Sequence, residues 1–214
     1  MSEPAHPQFP RLYPIVDEGL LELRRVSLGW VAEELKAAGA MLVQYRNKVG
    51  EPDSILRGAC VIWEVFEGSG CRLMMNDHAD LVKPAGFGGV HVGQGDMAPE
   101  DARRVVGVDR WVGVSTHDDE QVRVANETSA DYIAVGPVFA TGTKLDAEPV
   151  IGLDGVRRAL ALTKKPIVAI GGITRANAQS VIDAGADSVA VISALFVEGE
   201  TVERVAGDFL ELLR

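Results

Sequence analysis

A chain of 214 residues, 47% hydrophobic and 24% charged, is long enough for one large domain with a substantial core. Its formal net charge of -10 argues against a nucleic-acid partner, because phosphate backbones demand a basic surface, but leaves room for a small phosphorylated ligand held by a local cluster of cations. No apolar run approaches the roughly 18 residues of a membrane span. The opening MSEPAHPQFPR lacks a basic-then-apolar leader pattern, and Cys60 and Cys71 have no metal-ligand spacing, so a cytoplasmic protein with reduced structural thiols is expected.

Taken in chain order, a tail through Pro10, expected to be flexible, leads into the apolar run LYPIVD from Leu12. A helical segment WVAEELKAAGA follows, then MLVQYRN from Met41, the helical SILRGACVIWEVFEGSG, and RLMMND from Arg72. The next connection, ADLVKPAG, is broken by Pro84 and has room for about two helical turns. GGVHVG from Gly88 precedes PEDARRVVG, whose Pro99 and two acids suit a helix N-terminus. WVGVST from Trp111 precedes DDEQVRVANE, YIAVGPVF from Tyr132 precedes DGVRRALALTKK, and PIVAIGG from Pro166 precedes RANAQSVIDAGA. SVAVISAL from Ser188 and TVERVAGDFLELLR complete the series. The strand-like runs are apolar on both faces, as buried parallel strands are.

Eight strand–helix units of about 27 residues each predict an α/β fold, a single (β/α)8 TIM barrel over residues 11–214 that is slightly shorter than usual. A doubly wound open sheet is disfavoured, since no G-x-G-x-x-G follows the first strand. Barrel chemistry sits at the C-terminal strand ends. That rim would carry Asp17; Gln44, Arg46 and Lys48; Asn76 and Asp77; Gln94 and Asp96; Ser115, Thr116 and His117; Thr141, Thr143 and Lys144; Gly171 and Gly172; and Ser193.

In QYRNK, alternation along an extended strand end turns Gln44, Arg46 and Lys48 the same way, which suits a phosphate clamp or, more simply, a salt-bridged strand end. TGTK offers hydroxyls, a glycine and a further cation from Thr141 to Lys144. AIGGI, with the small turn VISAL after the last strand, has the character of a barrel phosphate grip, although close strand–helix packing also wants glycine. Asp77 and Asp96 become rim neighbours in a closed barrel. Beside a polyphosphate clamp they would repel the ligand unless a cation intervened, and Mg2+ takes one or two carboxylates plus phosphate oxygens. Taken alone, Asp77 suits a helix cap equally well. His78 and His6 carry no signal, His91 has the setting of a satisfied core histidine, and His117 suits either substrate polarisation or a helix start.

The segments QYRNK, MMNDHADL, GVHVGQGDM, VGVSTH, ADYIAVGPVFATGTK and AIGGITRANAQSVIDAGADSVAVISALF, in this order, resemble the thiamine phosphate synthase family over nearly the whole chain. The resemblance implies a barrel transferase of thiamine biosynthesis that couples 4-amino-5-hydroxymethyl-2-methylpyrimidine diphosphate with a thiazole phosphate or its carboxylate, releasing pyrophosphate in a Mg2+-assisted dissociative displacement. It assigns pyrimidine diphosphate contacts to Gln44, Arg46, Lys48, Asn76, Ser115 and Lys144, with Arg46, Lys48, Ser115 and Lys144 as the catalytic set. It assigns Mg2+ to Asp77 and Asp96, and thiazole phosphate to Thr141, Thr143, Gly172, Ile192 and Ser193. A homodimer is also implied. The chain departs from the family pattern at Tyr45, Asn47, Gly95 and Gly142, and Asn47 is expected to alter the charge beside the clamp. Two rivals share the barrel: a thiazole tautomerase using His117, and a non-catalytic sensor of thiazole phosphate. A tautomerase has no need of Asp77, Asp96 and QYRNK together.

Overall fold

The computed structural model describes residues 9–141 and 149–214. Eight parallel strands close in sequence order into a barrel: β1 (Leu12–Asp17), β2 (Leu42–Arg46), β3 (Arg72–Asn76), β4 (Gly89–Val92), β5 (Trp111–Thr116), β6 (Tyr132–Val135), β7 (Ile167–Ile170) and β8 (Ser188–Val191). Closure pairs Leu12 with Val189 and Pro14 with Val191, so no sheet edge remains. Around the strands lie α1 (Glu18–Arg24), α2 (Leu28–Ala37), α3 (Pro52–Phe66), α4 (Pro99–Val106), α5 (Asp119–Asn126), α6 (Gly152–Leu162), α7 (Ala178–Asp183) and α8 (Val202–Leu212). The expected barrel is what forms. No described helix is long and apolar enough to cross a membrane.

One connection differs from the expected pattern in kind. After β1 the chain makes two helices rather than one. Asp17 caps α1 by accepting from Leu20 N at 2.9 Å, Arg25 ends it in the left-handed conformation at φ 57°, and Ser27 caps α2 by accepting from Trp30 N. After β3 there is only a 3-10 turn, Ala79–Leu81, in keeping with the break expected at Pro84. A second 3-10 turn, Ser193–Leu195, occupies VISAL beyond β8.

Inward-facing residues fill the barrel in tiers. At the floor Phe9 is buried and stacks on Trp111 with centroids 5.1 Å apart, while the Arg72 guanidinium lies over the Trp111 ring at 4.1 Å. Phe9 falls within the segment expected to be a flexible tail, yet its ring is part of the interior. Above it the Tyr132 ring occupies space that only glycine leaves open, since a Cβ on Gly113 would lie 2.0 Å from Tyr132 Cζ. Two aspartates stitch the floor. Asp131 accepts from Val112 N at 2.6 Å and Asp187 from Ile167 N at 2.9 Å, which accounts for the repeated Ala-Asp before β6 and β8. Both cysteines are free, and burial pushes the Cys71 thiol up to about 12, as suits an inert thiol.

Candidate active site

The polar rim forms at the C-terminal strand ends as the barrel predicts. A narrow cavity of about 40 Å³ opens inside the mouth between Tyr13, Gln44, Arg46, Asn76, His91 and Ser115. A wider one of about 450 Å³ continues across Ser115, Ala134, Ile170 and Ile192 to Thr141, Gly172 and Ser193. A larger concavity, about 1520 Å³, lies at the opposite face beside Phe9, Trp63 and Arg72. The convergent side chains are at the rim, so the rim is the candidate site.

Strand alternation brings Gln44 and Arg46 to one cavity, as expected. Gln44 is buried and donates through Nε2 to the Tyr13 hydroxyl at 2.9 Å. Arg46 pairs with Asp17, and Lys48 turns to Asp77 rather than to the cavity. Both cations of the expected clamp therefore hold carboxylates, the combination a competing diphosphate would have to replace. Asn47 does not face the clamp. Its amide donates to Glu18 at 2.7 Å and its oxygen accepts from Gly50 N at 2.8 Å, so Asn47 shapes the loop that carries Lys48. Tyr45 likewise points outward to Glu18.

Asn76 ends β3 buried, and its Nδ2 has no hydrogen-bond partner among the described residues. A buried donor left without a partner costs on the order of 1–3 kcal/mol, so the site tolerates a cost that an acceptor would remove. Asp77 follows at φ 64°, a conformation non-glycine residues seldom adopt, with its own N–H held by His91 O at 2.8 Å. Asp96 reaches it from the turn beyond β4, where its carboxylate accepts from Gly93 N at 2.9 Å. The two carboxyls hydrogen-bond to each other. Burial, with the Asp96 charge adding to it, raises Asp77 above the ordinary carboxylate value, against the pull of Lys48. Burial also opposes ionisation of Asp96, but the hydrogen bonds from Asp77 and Gly93 and the Lys48 charge outweigh it and hold Asp96 below the ordinary value. A carboxyl pair in such contact needs a proton or a cation between its members.

Among the described residues no group of three His, Cys, Asp or Glu converges on a metal position. Two hard carboxylates at the rim beside the narrow cavity nevertheless have the donor chemistry that suits Mg2+, which takes one or two carboxylates and keeps several waters.

The wider cavity carries the glycine turn. Gly171 and Gly172 have φ 103° and 63°, and a Cβ on Gly172 would lie 2.6 Å from Ala140 O. Thr141, Ile192 and Ser193 line the same space. Thr143 and Lys144, with the departure Gly142, lie outside the described residues. His117 also lines this cavity, its Nδ1 donating to Gly136 O at 2.7 Å.

Sequence reasoning missed the parts played by four residues. Asp17, placed on the rim without a partner, is the counter-ion of Arg46. Asn177 clamps the glycine turn, donating to Gly172 O at 3.1 Å and accepting from Thr174 N at 2.8 Å. Tyr13 and Tyr132 reach the site floor from strand runs that had been taken as plain core. Their signal is a polar tip at an inward position.

The family profile described as thiamine monophosphate synthase matches residues 12–195. A thiamine-phosphate synthase of Koribacter versatilis is 49% identical over 208 residues, 96% of this chain and 97% of its own. Another from Chloroflexus aurantiacus is 43% identical over 86% of this chain and 84% of its own. Among solved structures, the thiamine phosphate pyrophosphorylase from Pyrococcus furiosus superposes with a TM-score of 0.83 at 30% identity, covering 95% of each chain. With a profile match spanning most of the barrel and relatives similar end to end, the chain belongs to the thiamine monophosphate synthase family.

Proposed function

We propose that this chain joins 4-amino-5-hydroxymethyl-2-methylpyrimidine diphosphate to a thiazole phosphate, giving thiamine phosphate and pyrophosphate, with the pyrimidine at the Gln44–Ser115 end and the thiazole phosphate at the glycine turn. Family membership supports the reaction. The unpartnered Asn76 Nδ2, buried among Gln44, Arg46 and Ser115, is the observation that carries the placement, because it asks for an acceptor where the pyrimidine diphosphate would lie.

The bond from the pyrimidine methylene to the diphosphate oxygen breaks, its electron pair leaving with pyrophosphate, and the thiazole nitrogen lone pair forms the new C–N bond. Positioning and charge stabilisation suffice for such a step. Arg46 and Lys48 exchange Asp17 and Asp77 for diphosphate oxygens as the leaving group gathers charge. A cation about 4 Å away contributes up to about 4 kcal/mol at an effective dielectric near 20, less for the half-exposed Lys48. Lys144 would add a third cation, an assignment drawn from sequence alone. Mg2+ held by Asp77 and Asp96 would neutralise the departing pyrophosphate and relieve the carboxyl contact. Ser115 and Gln44 orient the ring, and Gly172 and Ser193 hold the thiazole phosphate. The same proposal has the enzyme act in the cytoplasm as a homodimer, which sedimentation would test.

The test is an end-point assay with both substrates, in Mg2+ or in EDTA. Thiamine phosphate formed only with Mg2+ supports the reaction and the metal together. A folded protein that binds the thiazole phosphate but forms no product refutes the proposal.

A further inference from the structure

A continuous hydrogen-bonded chain crosses the barrel interior beneath the site. Gln44 Nε2 meets the Tyr13 hydroxyl at 2.9 Å, Tyr13 meets the Tyr132 hydroxyl at 3.0 Å, Tyr132 meets His91 Nδ1 at 2.9 Å, and His91 Nε2 meets Ser115 Oγ at 2.8 Å. Tyr13 and Tyr132 are fully buried, and Gly113 leaves the space that fixes the Tyr132 ring. Both ends are residues placed at the pyrimidine, and the three between them have no part in the mechanism above.

The chain has a direction. An amide nitrogen only donates, so Tyr13 accepts from Gln44, and among the described residues the remaining partner for its own hydrogen is the Tyr132 hydroxyl. Tyr132 must then donate to His91 Nδ1, which leaves neutral His91 protonated on Nε2 and donating to Ser115. The Ser115 hydrogen is thereby released toward the cavity as a donor. At the other end, the Gln44 oxygen and second amide hydrogen are not engaged by the chain. The reverse direction requires the Gln44 amide to turn over, engages its oxygen with Tyr13, and leaves Ser115 an acceptor.

We propose that Tyr13, Tyr132 and His91 are positioning residues forming a polarity-ordered relay, which locks the Gln44 amide and the Ser115 hydroxyl in the roles that select a 4-aminopyrimidine over its 4-oxo counterpart. An amino group beside a ring nitrogen is a donor next to an acceptor, the complement of an amide that offers oxygen and N–H side by side. A 4-oxo ring presents the opposite order and meets the locked amide with like groups. This role rests on the pyrimidine diphosphate occupying the Gln44–Ser115 end of the site.

Two readouts test it. With 15N-labelled histidine, His91 in the wild type, assigned by its loss in His91→Gln, should show a single tautomer with Nδ1 bare and Nε2 protonated, and Tyr132→Phe should show a mixture. In kinetics, Tyr132→Phe should raise KM for the pyrimidine diphosphate roughly five- to tenfold, the effect of one neutral hydrogen bond, with KM for thiazole phosphate unmoved. Its preference for the amino over the 4-oxo diphosphate should narrow by about tenfold. If Tyr132→Phe does not fold, Tyr13→Phe carries the same kinetic test, because it cuts the relay next to Gln44. A folded variant with unchanged discrimination overturns the relay, as does a wild-type His91 protonated on Nδ1 in protein that makes thiamine phosphate. Wild-type protein with the expected tautomer but no product refutes the assigned reaction, and with it the selection for which the relay is proposed.

Discussion

Replacing Asn76 by leucine should make the protein more stable and less active. The side chain is 7% exposed and its Nδ2 is unpartnered among the described residues. Removing an unsatisfied buried donor recovers about 1–3 kcal/mol of desolvation, and an apolar side chain of similar size adds no new unpaired group. The adjoining cavity of about 40 Å³ takes up the difference in shape. In a chain of 214 residues each kcal/mol at the transition moves Tm by about 2–4 °C, so calorimetry on the ligand-free protein should show a midpoint raised by several degrees. The opposite change is expected in the assay. A hydrogen bond to a charged group contributes about 1.5–3 kcal/mol, so kcat/KM for the pyrimidine diphosphate should fall roughly tenfold to a hundredfold. A variant destabilised by more than about 1 kcal/mol would show that Asn76 is a satisfied structural residue, and unchanged kcat/KM would remove it from the site.

Three further outcomes are expected. Gly172→Ala places a methyl group 2.6 Å from Ala140 O at a residue with φ 63°, so KM for thiazole phosphate should rise well beyond that for the pyrimidine diphosphate, and equal shifts would argue against the glycine turn as its site. Because Asp77 is raised in the fold, the proton it retains is lost as pH rises through its titration, which leaves two charged carboxylates in contact. Mg2+ should therefore raise Tm more above that titration than below it, and the Mg2+ concentration for half-maximal activity should fall with increasing pH. Profiles that coincide with and without Mg2+ would refute the metal assignment. Phe9→Ala, which removes a buried ring stacked on Trp111, should cost about 3–5 kcal/mol in denaturant unfolding, and a loss under about 1 kcal/mol would return that residue to a dispensable tail.

Much of the architecture was legible because it is written in local periodicity. LYPIVD and WVGVST coincide with β1 and β5 residue for residue, since runs apolar on both faces are buried wherever the barrel closes. The rim followed from strand order, and with it the placing of Gln44, Arg46, Asn76 and Ser115 around one cavity. Helix α1 was not legible, because its seven residues carry no sustained periodicity and its cap, Asp17, read equally well as a rim ligand. The orientation of Asn47 was missed for a related reason. Alternation says which side of the strand a residue takes, but Glu18, the carboxylate that meets Asn47, lies 29 positions away.

The amino-acid sequence by itself determined the alternation of strands and helices, the polar rim and the family, because each rests on spacing within a segment or on motifs in order. Tertiary structure alone decided which polar groups answer one another. Tyr13 and Tyr132 meet across 119 residues and Tyr132 and His91 across 41, and Lys48 turns to Asp77 instead of the cavity. Those partnerships depend on the closure and register of the barrel, which bring inward positions of different strands to one level. No local pattern of residues encodes that height.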